Sequence, residues 1–125
     1  MIAGIGIDAV DIARIEGLIS RGGTRFLDRV FTAAERAYCD ARPRPGESYA
    51  ARFAAKEAVM KCLATGWAEG LTFRQIEVVR DERGAVHVRL DGAAAQHGAR
   101  LGIERVRLSL THTANTATAF AIAER

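Results

Sequence analysis

The only two lysines of the chain lie close together in a stretch with helical periodicity. Of the 18 basic residues, 16 are arginine and only Lys56 and Lys61 are lysine. The ammonium of lysine binds phosphate as a compact point charge, whereas the guanidinium of arginine is a planar fork. Glu57 adds a carboxylate directly after Lys56 and four residues before Lys61. This combination favours a metal-bound phosphate group, with Glu57 on the cation and the lysines on the phosphate oxygens.

A purely structural explanation of the same residues stays open. Glu57 and Lys61 can form a surface ion pair worth about 0.3 to 0.5 kcal/mol on a helix. The apolar stripe of this helix consists of Tyr49, Phe53, Met60 and Leu63. Lys56 projects into that stripe, and Arg52 lies beside it. A buried ammonium is costly without an anion, so Lys56 either reaches solvent along its stem or borders a polar cleft.

Asp8 is the second carboxylate that a magnesium site would use. It follows the apolar run of residues 2–7, which predicts a buried strand ending in this carboxylate, with Ile5 and Ile7 on one face. Mg²⁺ takes one or two protein carboxylates and completes its octahedron with water and phosphate oxygens. Asp8 together with Glu57 would satisfy that requirement. The alternative for Asp8 is an ordinary carboxylate at a turn or at the start of a helix.

The first half of the chain is predicted to be mostly helical. Asp11 is a candidate N-cap for a helix with Ile12, Ile15, Leu18 and Ile19 on its apolar face. Thr24 can open a short helix that ends near Val30, and Thr32 with Glu35 forms a capping box for a helix that reaches residue 40. The longest helix is expected at 47–65, with Gly66 as its C-terminal cap.

The second half is predicted to be mostly strand. Residues 73–80 and 85–90 flank a turn at 81–84 and predict a hairpin. A short helix at 91–101 is followed by strands near 106–110 and 117–123. Helices grouped ahead of a mainly antiparallel sheet indicate an α+β fold.

Length and composition predict one domain spanning residues 1–125. The chain has 49% hydrophobic and 26% charged residues, which are ordinary proportions for a globular domain. Because a chain this short buries only about two thirds of its unfolded surface, a large cleft within one subunit is costly, and self-association is expected. Neither a membrane helix nor a secretory signal is apparent, and Cys39 and Cys62 lack metal-ligand spacing. We therefore expect a cytoplasmic protein.

The charge of the chain allows an acidic partner without requiring nucleic acid. The formal net charge is +3, and the basic residues are spread along the chain without the aromatic interleaving of a single-strand groove. Neither nucleic acid nor a membrane is therefore predicted as a partner. The absence of a Gly-rich phosphate loop argues against a nucleotide hydrolase that uses the same carboxylates.

Four blocks, in order along nearly the whole chain, resemble the holo-acyl-carrier-protein synthases, the small 4'-phosphopantetheinyl transferases. The blocks are GIGIDAVDIARIE at 4–16, FTAAE at 31–35, ARFAAKEAVMKCLATG at 51–66 and LSLTHT at 108–113. Two positions depart from the family pattern: Ala64 replaces the first glycine of Gly-Thr-Gly, and Thr111 replaces the serine before the histidine. Threonine keeps the hydroxyl, whereas Ala64 puts the backbone role of that glycine in doubt.

The resemblance implies the phosphopantetheinyl transferase fold and transfer of the 4'-phosphopantetheine arm from coenzyme A to a serine of an apo acyl carrier protein. It also implies Mg²⁺ as cofactor and a homotrimer with coenzyme A bound between subunits. The implied catalytic residues are Asp8, Glu57 and Lys61, with Asp8 and Glu57 holding the metal. The implied coenzyme A ligands are Arg52, Lys56, Lys61, Thr65, Gly66, His112 and Thr113. The general base stays open between Glu57 and Asp8.

The same resemblance predicts a function for a basic face on the first helix. Arg14 and Arg21 are seven residues apart and share a face away from the apolar side, and Arg25 can extend it. Carrier proteins present an acidic helix beside the modified serine, and opposite charge steers and orients such partners. The three arginines are therefore expected to dock the carrier. The alternatives are ordinary solvated arginines, or a binding module that grips acidic helices without chemistry.

Overall fold

The computed structural model describes residues 1–63 and 70–125. In these ranges the chain forms an α+β fold in which helices pack against one antiparallel sheet. The strands are β1 (Ile2–Asp11), β2 (Ile76–Arg80), β3 (Val86–Leu90), β4 (Arg105–His112) and β5 (Thr116–Glu124). The α-helices of the described ranges are α1 (Ile12–Val30), α2 (Ala33–Asp40), α3 (Pro45–Leu63) and α4 (Gly92–Arg100).

The sheet has the strand order β1-β5-β4-β3-β2, with every neighbouring pair antiparallel. The predicted α+β class, the hairpin of β2 and β3 and the two later strands are therefore confirmed. The start of β2 differs from the prediction, because residues Phe73–Gln75 form a 3₁₀ helix and the strand begins only at Ile76. No helix within the described ranges is long and apolar enough to cross a membrane.

Helix α1 contains a bend that agrees with the prediction of two helical segments. Gly23 has φ 55° inside the helix, in a region that glycine adopts more readily than other residues. The second segment therefore starts near Thr24, as the sequence indicated. Asp11 occupies the N-cap position, but its side chain makes no capping hydrogen bond.

Helix α3 is the centre of the fold. Its predicted core stripe of Tyr49, Phe53, Met60 and Leu63 is buried. Five alanines of the same helix are buried as well. Facing it, Ala117, Ala119, Ala121 and Ala123 of β5 are fully buried. Small side chains on both elements allow the helix to lie close to the sheet.

The alternation of β1 decides which residues face this helix. Gly6 is buried, whereas Ile5 and Ile7 are 62% and 58% exposed. The two isoleucines do share a face, as predicted, but it is the outer face of the sheet in the single chain. Because successive residues point to opposite faces, Gly4, Gly6 and Asp8 are directed towards α3.

Candidate active site

Asp8 faces α3 from within β1. The strand continues to Asp11, and Asp8 pairs with Ala119 of β5, so the prediction that Asp8 ends the strand is wrong. The side chain of Asp8 is 19% exposed. This position holds a carboxylate on a rigid element at the margin of the core.

Two glycines bring the strand close enough for this meeting. A Cβ atom on Gly6 would overlap the carbonyl oxygen of Ala58, and one on Gly4 would overlap that of Cys62. The backbones of β1 and α3 are therefore in direct contact on both sides of Lys61. Larger residues at these positions would separate Asp8 from the helix.

Glu57 lies near Asp8 and responds to its charge. Partial burial raises the pKa of Glu57, the negative charge of Asp8 raises it further, and Lys61 and Arg14 oppose the shift. Two carboxylates that repel each other at the edge of the core are stabilised by a cation between them. The donor set therefore fits Mg²⁺, which needs only one or two carboxylates. Within residues 1–63 and 70–125, no group of three or more His, Cys, Asp or Glu side chains could hold a metal.

Lys61 completes this cluster. Its Nζ donates to the backbone oxygen of Ile7 at 2.7 Å and to Oδ1 of Asp8 at 3.3 Å. The predicted alternative of a surface ion pair with Glu57 is thus replaced by a pair with Asp8. The side chain of Lys61 is 54% exposed, so its ammonium remains accessible to an anionic ligand.

Lys56 is not available to coenzyme A, and this part of the prediction is wrong. Its Nζ donates to Oε1 of Glu35 at 2.7 Å and to the backbone oxygens of Phe73 at 3.0 Å and Ile76 at 2.6 Å. These contacts use all three donors of an ammonium, and the side chain is fully buried. Lys56 neither reaches solvent nor borders a cleft, because the anion that compensates it comes from α2.

Glu35 makes contacts, in addition to its capping box, that the sequence did not indicate. Its capping box with Thr32 is present as predicted. Its carboxylate also accepts the hydrogen bond from Val78 N of β2 and pairs with Lys56. A lysine in the apolar stripe was the signal for a buried anion, but the spacing alone did not identify which acid supplies it.

Arg52 lines a cleft whose basic residues are Arg42, Arg44, Arg52, Arg80 and His112, with the ring of Tyr38 and one acid, Glu47, also in its lining. The guanidinium of Arg52 lies 4.1 Å from the ring centre, and those of Arg42 and Arg80 lie at 5.6 and 5.8 Å. The Nε of Arg52 is buried and meets no hydrogen-bond acceptor among the residues that the structure describes. Clustered cations with an unused buried donor favour binding of an anion.

His112 and Thr113 lie at the end of β4. Nδ1 of His112 is 3.2 Å from the oxygen of Thr113 and 3.9 Å from Oε2 of Glu47, and the imidazole borders the basic cleft. Oγ1 of Thr113 accepts from the backbone N–H groups of Asn115 and Thr116, which closes the turn to β5. The predicted ligands Thr65 and Gly66 lie outside the described residues.

The three arginines predicted to dock a carrier are all exposed on α1. The guanidinium of Arg14 lies 6.0 Å from the ring centre of Phe53, and its charge acts on Glu57. Arg14 therefore connects the basic face to the carboxylate site. Arg25 lies beyond the bend at Gly23, on the second segment of the helix.

Comparisons with known proteins converge on one family. The model of the 4'-phosphopantetheinyl transferase superfamily matches residues 4–121. The holo-[acyl-carrier-protein] synthase of Desulforudis audaxviator is 50% identical, with 98% of this chain and 93% of the relative covered. That of Solibacter usitatus is 41% identical over 99% of both chains.

Solved structures agree in both fold and sequence. The holo-[acyl-carrier-protein] synthase of Neisseria meningitidis superposes with a TM-score of 0.91 and 35% identity, with both chains covered completely. The enzyme of Helicobacter pylori, solved in complex with coenzyme A, has a TM-score of 0.84 and 31% identity, with coverage of 96% and 99%.

Proposed function

Because the chain belongs to the 4'-phosphopantetheinyl transferase superfamily, we propose that its carboxylate site moves the 4'-phosphopantetheine arm of coenzyme A to a serine of an apo acyl carrier protein. The products are the holo carrier and adenosine 3',5'-bisphosphate. The observation that carries this proposal is the meeting of Asp8 with Glu57 and Lys61, across two elements that contact through glycine. One transferase domain over residues 1–125 is part of the proposal.

The reaction needs a nucleophile to approach a diphosphate. The serine oxygen bonds to the phosphorus that carries the pantetheine oxygen, the bridging P–O bond of the diphosphate breaks, and the serine proton is transferred to a base. Mg²⁺ held by Asp8 and Glu57 supplies charge neutralisation and in-line orientation when it is bound. Glu57 and Asp8 are the candidate bases, because both carboxylates lie at the proposed metal site.

Lys61 and the basic cleft are two cationic sites that suit the phosphates of coenzyme A. Lys61 has an exposed ammonium for a phosphate oxygen. Arg52 precedes Glu57 by five residues on α3, which is a rotation of about 140° around the helix, so the basic cleft lies on a different face from the carboxylates, and it is proposed to hold a phosphate of a coenzyme A molecule bound between subunits. The cleft volume of about 360 Å³ lies in the range of ligand pockets. Arg52, His112 and Thr113 are therefore proposed coenzyme A ligands, and so are Thr65 and Gly66 from the family motif.

One experiment tests the activity and separates it from its rivals. The protein is mixed with coenzyme A, Mg²⁺ and an apo carrier protein, and the carrier is weighed by mass spectrometry. An added phosphopantetheine mass supports the transferase. An unchanged carrier that still binds the protein would support a docking module, and phosphate release without carrier modification would support a hydrolase.

Reversing the charge of Arg14 is expected to weaken carrier docking. Arg14→Glu places a negative charge where the acidic helix of the carrier approaches, so the KM for the carrier rises, by about tenfold for the loss of one close charge pair. Steady-state kinetics at low and high salt measure this, and salt is expected to weaken docking of the parent protein. Arg83→Glu, on the exposed hairpin turn, is the matched control. An unchanged KM for Arg14→Glu would remove this residue from the docking surface.

A homotrimer is supported by an uncovered apolar surface on the sheet. Ile5, Ile7 and Phe120 are exposed side by side on β1 and β5, where Ile7 pairs with Phe120. Such a surface on an edge strand favours association with another chain. Copies of this chain are the proposed occupants, so that coenzyme A would bind in the clefts between subunits.

Ile7→Glu is expected to convert the trimer to smaller species, because it places a charge within the apolar surface. Multi-angle light scattering measures the mass. Ala99→Glu, which adds the same charge on exposed α4, should remain trimeric. A parent protein with the mass of one chain would disprove the assembly.

A cytoplasmic location also belongs to the proposal and is supported by the free thiols of Cys39 and Cys62, which are usual in a reducing compartment.

A further inference from the structure

Glu35 and Lys56 form a buried ion pair that the proposed reaction does not use. Oε1 of Glu35 accepts from Thr32 N at 2.9 Å and from Lys56 Nζ at 2.7 Å, and Oε2 accepts from Val78 N at 2.8 Å. Both side chains are fully buried. Together with the carbonyl acceptors of Lys56, these bonds connect α3 to α2, to the 3₁₀ helix and to β2.

On the opposite side of α3 the polar contacts to the sheet are few: the half-exposed Lys61 donates to Ile7 O and to Asp8, and the Cys62 thiol donates to the backbone oxygen of Ala121 at 3.2 Å. There the helix backbone lies directly on Gly4 and Gly6, and the neighbouring strand contributes buried alanines. Interdigitating large side chains normally fix the rotation and sliding of a packed helix. A surface of glycine and alanine is comparatively smooth, so the fully buried bonds of Glu35 and Lys56 constrain the helix more than the half-exposed Lys61 or the weak thiol donor of Cys62 does. Buried polar groups are known to specify register in this way.

The sequence places this anchor directly beside the metal site. Lys56 and Glu57 are consecutive, and consecutive side chains on an α-helix diverge by about 100°. When Lys56 points at Glu35, Glu57 is directed towards β1 and Asp8. A small rotation of α3 would leave both carboxylates intact but would change the distance between them.

We propose that Glu35 and Lys56 are positioning residues, whose buried hydrogen bonds fix the rotation and axial position of α3 so that Glu57 meets Asp8 around the metal ion. The inference rests on the proposed function, because the metal site belongs to it. Neither residue touches substrate or metal. Their effect passes through the placement of Glu57.

Metal binding without substrates tests this inference. Mn²⁺ serves as the probe, and its binding to the full chain is followed by electron paramagnetic resonance. In the double variant E35Q/K56M, which removes both charges and so avoids an unpaired buried ion, the Mn²⁺ dissociation constant is expected to rise about tenfold, as for other residues that orient metal ligands. Circular dichroism and the melting temperature report whether the variant is folded.

A matched core variant separates positioning from loss of stability. Val30→Ala creates a cavity beside α1, where Val30 is buried, and its apolar side chain forms none of the hydrogen bonds of Glu35 and Lys56. It is expected to lower the melting temperature while leaving Mn²⁺ affinity unchanged. The conservative variant Glu35→Gln, which keeps the shape of the side chain, decides the matter if the double variant does not fold, and it too is expected to weaken Mn²⁺ binding.

The outcomes distinguish this inference from the proposed function. If folded E35Q/K56M, or folded Glu35→Gln in its place, binds Mn²⁺ as tightly as the parent chain, the positioning role is wrong and the transferase assignment is untouched. If the parent chain itself shows no Mn²⁺ binding that depends on Glu57, the metal site fails, and the inference fails with it.

Discussion

Replacing Glu57 by glutamine is expected to abolish phosphopantetheine transfer, lowering kcat by about a thousandfold or more. Glutamine keeps the size of the side chain but removes the negative charge that would hold the cation. A metal ion at a diphosphate supplies several kcal/mol of charge stabilisation, and each 1.36 kcal/mol is a factor of about ten in rate. The measurement is single-turnover transfer at saturating coenzyme A and Mg²⁺. A normal rate would show that the metal assignment is wrong.

Asp8→Asn is the companion variant, since the two carboxylates act on one ion. It is expected to be as inactive as Glu57→Gln, and the double variant no worse than either, because residues that act as a unit are not additive. Lys61 would also lose its anionic partner in Asp8→Asn. Partial recovery of Asp8→Asn at high Mg²⁺, with none for Glu57→Gln, would indicate that Glu57 also acts as the base.

The fold itself is expected to survive the change at Glu57. Burial and the charge of Asp8 raise the pKa of Glu57, so over the pH range between its ordinary and its raised value the folded chain binds more protons than the unfolded chain. Without metal, this residue therefore contributes less stability as the pH rises through that window. In metal-free neutral buffer, Glu57→Gln should unfold at the same urea concentration as the parent chain or at a higher one. A clear loss of stability would instead mean that Glu57 has a structural role.

The sequence correctly predicted that Asp8 and Glu57 lie near each other, but it did not predict the contacts of Lys56. The proximity of Asp8 and Glu57 followed from a strand, a helix and a family motif, and those elements are present. Lys56 was misjudged because spacing alone cannot show whether a charged residue on an apolar helix face has a buried partner. That partner, Glu35, is 21 residues away in sequence, and only the packing of α2 against α3 brings it there.

The fold was predictable where local signals are strong. The capping box of Thr32 and Glu35 and the turn between β2 and β3 act over a few residues, and both were predicted correctly. The exposure of Ile5 and Ile7 could not be predicted from an apolar run, because alternation shows that two residues share a face without showing which face is covered. The face of β1 that is covered by α3 carries glycine, because the backbone of α3 occupies the space that a side chain on Gly4 or Gly6 would need.

That close approach leads to the second large effect, expected for Gly6→Ala. The added Cβ would overlap the carbonyl oxygen of Ala58, and both groups belong to regular backbone, so neither can move aside as a flexible side chain would. Overpacking of this kind costs about 3 kcal/mol. Relief requires α3 to move away from β1, which carries Glu57 away from Asp8. A displacement of about 1 Å in an active site can cost about a hundredfold in rate.

Urea unfolding and transfer kinetics on the same preparation measure the two effects of Gly6→Ala. Gly17→Ala is the matched control for stability, because the group nearest its added Cβ is the flexible guanidinium of Arg21 at 3.1 Å, and alanine favours the helix by up to about 1 kcal/mol. It should be as stable as the parent chain or more so. If Gly6→Ala proved equally stable and fully active, the contact of β1 with α3 would not be what sets the distance between the carboxylates. A loss of both properties in Gly6→Ala alone would show that one missing side chain allows the core to close and the two carboxylates to meet.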